Sequence, residues 1–234
     1  MRCKGVNWMQ RGIRLLATAS LALVPFLAQA ESADDPWESV NRPIFVFNDT
    51  LDTYALKPVA EGYQKVTPQF MQDGVHNFFG NIGDVRNLAN DLLQGKVHEA
   101  GVDTSRILFN TTFGLAGFID VATRMGLDRN DEDFGQTLGA WGLGSGPYVM
   151  LPFFGPSTLR DAPAKIPDSF LGPYSYIDDV SLRNSIRAVD VVDTRADLLK
   201  SEKLISGDKY NFIRNAYLQN REFKVKDGQV EDDF

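Results

Sequence analysis

Apolar residues recur along this chain at intervals of three and four, the spacing that puts them on one side of an α-helix. Thr67-Pro68 reads as a cap and a first helical residue. Phe78, Ile82, Val85, Ala89 and Leu92 then follow at spacings of four, three, four and three, and Gly95 closes the segment. The pattern predicts a helix with one apolar face. A second helix is expected near Val180 to Lys200, where Leu182, Ile186, Val189, Ala196 and Leu199 share a face. There Arg183, Arg187, Asp190, Asp197 and Lys200 sit largely off it. A third covers about Asp208 to Arg221, with Tyr210, Ile213 and Tyr217 in register. Pro36 after Asp35 suits a helix entrance, and strict period-two alternation is scarce. The expected class is therefore all-α, with no internal repeat of 20 to 50 residues.

Two stretches break the amphipathic pattern. Gly135 to Leu159 runs 25 residues without a charge and holds six glycines, three prolines, Trp141, Tyr148, Phe153 and Phe154. It is long enough to cross a bilayer but too interrupted for a simple spanning helix. In lipid, irregular backbone survives only where protein or water satisfies its amides. The stretch could line a cavity or lie in an interface, with Trp and Tyr at the headgroup level, or form a buried glycine-rich connection in a soluble protein. Ile107 to Ile119 is likewise uncharged and carries Gly114 and Gly117. Two such stretches favour apolar surroundings.

The N-terminus changes the picture of where the chain works. Arg2, Lys4, Arg11 and Arg14 precede an uncharged stretch, Leu15 to Ala28, that ends in Ala28-Gln29-Ala30. This is the layout of a cleavable secretory signal, and it falls short of the roughly 20 residues a membrane span needs. Residues 1–30 are expected to leave, with cleavage near Ala30-Glu31. The signal takes four of the 24 Lys and Arg and none of the 31 Asp and Glu, so the mature charge is 20 − 31 = −11. Nucleic acid is thereby excluded as an expected partner. The only cysteine, Cys3, leaves as well, so no disulfide or thiolate metal site is expected. Cys3 also lies before the apolar segment, whereas an acylated lipoprotein needs its cysteine directly after. The mature chain is expected to carry no lipid anchor. Residues 31–223 read as one helical domain, and 224–234 as a charged, disordered tail.

Catalytic and ligand patterns are mostly missing. In Gly142-Leu-Gly-Ser-Gly-Pro147 the serine is flanked directly by glycines, so it is no nucleophile elbow. Its glycine spacing is also wrong for a phosphate loop. His76 and His98 stand 22 residues apart with no zinc-binding frame, and each reads as an ordinary helix residue. Asp128-Arg-Asn-Asp-Glu-Asp133 lacks the glycine and terminal glutamate of a calcium loop. It reads instead as helix capping and a solvated loop. Neither a metal, a cofactor nor an enzymatic reaction is expected.

Three blocks then carry a resemblance. Asp35-Pro-Trp-Glu-Ser-Val-Asn-Arg-Pro-Ile-Phe-Val-Phe-Asn48 is the first, and Phe109-Asn-Thr-Thr-Phe-Gly-Leu-Ala-Gly-Phe-Ile-Asp-Val121 the second. The third runs from Asp133-Phe-Gly-Gln-Thr-Leu-Gly to Gly-Pro-Ser-Thr-Leu-Arg-Asp161. In order and spacing they resemble the MlaA (VacJ) family, from about Asp35 to Arg221. The resemblance implies a ring-shaped bundle of amphipathic and membrane-interfacial helices around a channel. It places the chain in the inner leaflet of the bacterial outer membrane, with a trimeric porin as partner. It also implies a phospholipid-transport role in the Mla pathway, which maintains lipid asymmetry. Phospholipid that has strayed into the outer leaflet would cross the channel to a soluble periplasmic lipid carrier of the MlaC type. An envelope phospholipase using Ser145 or Ser157, and a structural protein that braces porins, are the alternatives. By position in the first block, Asn41, Arg42, Phe47 and Asn48 are candidates for a gating or hinge element. In the third, Phe134, Gly135, Gly139, Gly142, Gly144, Gly146, Tyr148 and Arg160 are candidates for the ring and channel wall, Tyr148 at an interface or facing the channel. Many family members are lipoproteins, a departure that concerns the anchor and not the fold.

Overall fold

A computed structural model describes residues 35–228. The expected signal peptide and residues 229–234 of the expected tail lie outside the described residues. Four aspartates start helices by accepting backbone N–H groups that would otherwise lack partners, a contribution of about 1 kcal/mol each. Asp120 starts α5 (Val121–Arg124), Asp133 starts α6 (Phe134–Ala140), Asp179 starts α8 (Val180–Leu198) and Asp208 starts α9 (Lys209–Val225). Earlier in the chain, α1 (Glu38–Leu51) passes through a π-helical turn at Asp52–Leu56 into α2 (Lys57–Val66). The expected first helix is α3 (Gln69–Gln94), closed by Gly95 at φ 76°, where the Lys96 N–H returns to the Asp91 carbonyl. Next come α4 (Val97–Thr112) and, after the hairpin described below, α7 (Asp161–Leu171). Helix α9 runs through Val225, beyond the expected start of the tail at 224, because Lys224 pairs with Asp131.

Among the described residues, the glycine-rich stretch contains the one departure from an all-α chain. β1 (Tyr148–Leu151) and β2 (Gly155–Thr158) form an antiparallel hairpin in the register Tyr148↔Thr158 to Leu151↔Gly155. Gly-Pro-Ser-Thr carries no alternation to announce a strand. Its pairing is legible only with its partner, and Pro156 is tolerated because a two-stranded sheet is all edge. Tyr148 and Met150 point inward and pack with Tyr210, surrounded by Ile44, Phe45, Tyr217 and Leu218. This small cluster is the apolar core.

Elsewhere the polarity is reversed. Among the described residues, the buried apolar side chains are Tyr148, Met150, Tyr210 and five alanines, while Arg106, Gln136, Asn90, Asn110, Asp84 and Asp103 are wholly buried. On α3 the buried positions are Gly74, Asn81, Asp84, Asn87, Asn90 and Asp91. The expected apolar face of this helix is not the buried one: Phe78, Ile82, Val85 and Ala89 are half-buried and Leu92 is 61% exposed. Helix α4 buries Asp103, Arg106 and Asn110 and exposes Leu108. The two helices therefore meet along a polar seam. Arg106 Nε donates to Asp84 (3.2 Å) and its Nη2 to Asp120 (3.0 Å), Arg129 Nε donates to Asp84 (3.0 Å), and Asn81 Nδ2 to Thr111 Oγ1 (3.1 Å). Buried charges survive only when paired in this way. Exposed apolar side chains in such number are unusual for a water-facing protein. Among the described residues no helix is long and apolar enough to cross a membrane.

Candidate functional site

The first-block candidates join α1 to the hairpin. Asn41 and Asn48 are seven residues apart, two helical turns, and so lie on one side of α1. Asn41 Nδ2 donates to the Tyr148 carbonyl (3.0 Å) while its Oδ1 accepts from the Met150 N–H (2.8 Å). Asn48 does the same further along the chain, donating to the Leu151 carbonyl (2.9 Å) and accepting from the Phe153 N–H (2.9 Å). Each side-chain amide takes the place that a neighbouring strand would occupy. Phe47 meets the Phe153 ring edge-on, with centroids 5.2 Å apart. Phe153 holds φ +66°, a strained value for a side-chain-bearing residue, and with Phe154 it projects from the hairpin tip. Arg42 ties the start of α1 to α9. It pairs with Glu38 (2.7 Å) and Asp208 (2.9 Å), and its guanidinium lies 4.5 Å from the Tyr210 ring centroid.

The third-block candidates form a packed wall. Arg221 bridges Asp133 and Asp161, and Asp161 also accepts from Arg160 Nε (2.8 Å) and the Tyr217 hydroxyl (3.0 Å). Burial alone would raise the Asp161 carboxyl, but hydrogen bonds from Arg160 and Arg221 outweigh it and hold the group below the ordinary carboxylate value. A Cβ on Gly135 would sit 2.3 Å from the Arg221 guanidinium, and one on Gly139 2.7 Å from that of Arg160. These two glycines let the helix lie directly on the ion pairs. Gly142 and Gly146 turn the following loop with positive φ, and Gly144 lies between them. The Phe134 N–H donates to Asp168 (3.1 Å), and its ring meets Trp141. Tyr148 is 2% exposed within the apolar core, and Arg160 is buried against Asp161 and the Leu143 carbonyl. Neither faces an open passage, because inward register on β1 and charge pairing, respectively, draw them into packing. The run Asp128–Asp133 caps α6, as expected, but Glu132 is buried beside Lys96 (2.9 Å) and Gln94 rather than solvated.

The open spaces lie elsewhere, and α8 separates two of them. Asp193, Ala196, Asp197 and Lys200, at i, i+3, i+4 and i+7, face a polar cavity of about 710 Å³ bounded also by α3 and the segment 118–124. Arg195 and Leu198, on the other side of the helix, face an apolar cavity of about 390 Å³ lined by Phe45, Asn48, Met150, Ile205 and Phe212. Arg195 closes the rim of the second by gripping Asp52 with two hydrogen bonds (2.7 and 2.8 Å) and Glu202 with a third (2.9 Å). In the polar cavity, Asp193 accepts from the Tyr63 hydroxyl (3.0 Å) and lies 3.3 Å from His76 Nδ1. Burial, reinforced by Asp193, pushes the Tyr63 hydroxyl up to about 12. Of the sequence candidates, only Asn48 lines either cavity. Missed were His76, Asp193, Asp197, Lys200 and Arg124. The signal present was a polar face at helical spacing on α8, overshadowed by the apolar one.

Comparison with known proteins agrees with this architecture. A family model described as MlaA lipoprotein matches residues 33–224. The chain is similar to the intermembrane phospholipid transport system lipoprotein MlaA of Escherichia coli K12, 36% identical over 208 residues that cover 86% of this chain and 82% of that one. The Haemophilus influenzae protein of the same name is 31% identical over 217 residues, covering 86% and 83%. An uncharacterized Rickettsia bellii protein is 36% identical over 196 residues, covering 82% and 77%. A solved structure described as the structural basis for maintenance of bacterial outer membrane lipid asymmetry superposes with a TM-score of 0.72 at 36% identity, over 82% of this chain and 98% of that one. The Escherichia coli and Haemophilus influenzae names, like the family model's, say lipoprotein, at odds with the expectation of an unacylated chain. Cys3 lies outside the described residues.

Proposed function

The chain belongs to the MlaA family, and from that premise we propose that it carries phospholipid between the membranes of a bacterial envelope and so maintains outer-membrane lipid asymmetry. It takes mislocalised phospholipid from the outer leaflet and passes it to a soluble periplasmic carrier of the MlaC type, with a trimeric porin as its partner in the outer membrane. The reversed polarity is the observation that carries this reading: apolar side chains cover helices whose buried faces are polar. Such an exterior suits hydrocarbon, where each large apolar side chain withdrawn from water contributes about 1.5–3 kcal/mol. A phospholipid needs a polar path for its head and an apolar one for its tails. Cavities of both kinds on opposite sides of α8 fit that need. Transport asks for no covalent step. Ser157 is fully buried, which favours transport over a phospholipase using that hydroxyl.

The test is reconstitution of the full mature chain in vesicles containing labelled phospholipid, with a soluble lipid-binding acceptor added. Protein-dependent movement of intact lipid to the acceptor is expected. Release of fatty acid, or no transfer above protein-free vesicles, would overturn the proposal.

A further inference from the structure

We infer that the polar cavity between α3, α5 and α8 is a headgroup site that takes a zwitterionic phosphodiester, its phosphate on Arg124 and Lys200 and its ammonium on the Asp197 side. The inference rests on the transport reading and adds a substrate class to it. Arg124, in the last turn of α5, and Lys200, just past the end of α8, both line the cavity, and among the described residues neither has a hydrogen bond or an ion pair. Lys65, Lys165 and Lys203 are unpaired as well among the described residues, but of the unpaired cations it is Arg124 and Lys200 that line this cavity. Arg106, Arg129, Arg160, Arg195 and Arg221 all hold carboxylates.

The acids of the same wall decide between headgroups. Asp73, Asp120, Asp193 and Asp197 line the cavity against Arg124 and Lys200, so acidic groups outnumber the Arg and Lys of the lining. A headgroup with net negative charge would be repelled by that excess. A phosphate joined to an ammonium has no net charge and can use both signs. Asp120 is occupied by Arg106, Asn110 and Thr123, Asp193 by Tyr63 and His76, and Asp73 accepts from Gln69. Asp197 is the acid left without a partner among the described residues, three residues before Lys200 and in the same lining. Phe70 and Phe118 stand in the same lining, and Phe70 is largely exposed. They give apolar contact where the head meets the tails.

Binding is measured on the full mature chain in detergent, by calorimetry. The probes are dihexanoyl phosphatidylethanolamine, dihexanoyl phosphatidylglycerol, glycerophosphoethanolamine and inorganic phosphate. The zwitterionic lipid is expected to bind in preference to the anionic one, with glycerophosphoethanolamine competing and inorganic phosphate failing to. Arg124→Gln with Lys200→Gln should weaken binding about tenfold or more, as loss of two charged hydrogen-bonding groups implies. Arg124→Lys with Lys200→Arg should retain it, and Asp197→Asn should erase the preference for the zwitterion. Equal binding by the doubly neutralised variant, tighter binding of phosphatidylglycerol, or competition by inorganic phosphate alone would each overturn the inference. The vesicle assay separates this from the parent reading. Transfer that survives the double neutralisation with binding unchanged removes the site and leaves transport standing. Selective, variant-sensitive binding by a chain that transfers nothing removes transport instead.

Discussion

At the scale of single residues, the side chains that matter most are polar groups acting as backbone partners or as spacers. Asn48 has the environment of a pin. Its amide holds the Leu151 carbonyl and the Phe153 N–H at the hairpin tip, where Phe153 already carries a strained φ. Asn48→Ala should release the tip from α1. The expected readout is faster amide hydrogen exchange at Leu151 to Phe154 with little change in α3 and α4. Unaltered exchange at the tip would show that the pin is dispensable. Asn41, buried and paired in the same way, should cost more global stability on truncation, because it leaves two buried backbone groups unpaired. Gly135 is a spacer of another sort. Gly135→Ala puts a methyl 2.3 Å from the Arg221 guanidinium, and the displaced ion pairs should lower unfolding stability by about 1–3 kcal/mol. Denaturant titration in detergent measures this directly.

Between elements, the α3–α4 seam determines how the protein responds to pH. Burial and the nearby Asp84 and Asp91 carboxylates push Asp103 up to about 8, while Arg106 opposes this, so the folded chain holds a proton there that the unfolded chain loses near pH 4. Burial raises Asp84 and Asp91 too. A group that binds its proton more tightly when folded makes stability fall as pH rises between the two values. The melting temperature should therefore decline from about pH 4 towards pH 8. Asp103→Asn, which keeps the shape and removes the titration, should flatten that slope and raise the melting temperature most at pH 8. A slope unchanged in the variant would assign it to other groups. The hairpin belongs to this scale as well. Its strands have weak local signals, and its place depends on asparagines more than a hundred residues earlier in the chain.

For the molecule as a whole, the reversal of polarity is the main result, and the hairpin tip offers a direct test of it. Phe153 and Phe154 are 72% and 75% exposed beside the exposed Phe47 and Val46. Phe153→Asp with Phe154→Asp should reduce flotation of the mature chain with phospholipid vesicles, since carboxylates in hydrocarbon are costly. Undiminished flotation would move the membrane-binding surface elsewhere. The sequence by itself determined α3, α8 and α9, because Gly95, Asp208 and the three-four spacing act within a few residues of one another. Through its three blocks it also determined the family. It did not show which side of α3 would be inside, since periodicity reports that two faces differ and not which solvent each will meet. Nor did it place Tyr148 and Arg160 in packing, or gather Arg124 and Lys200 around one cavity from 76 residues apart. Those outcomes depend on pairing charges across helices distant in sequence. Only the tertiary structure brings those groups within reach of one another.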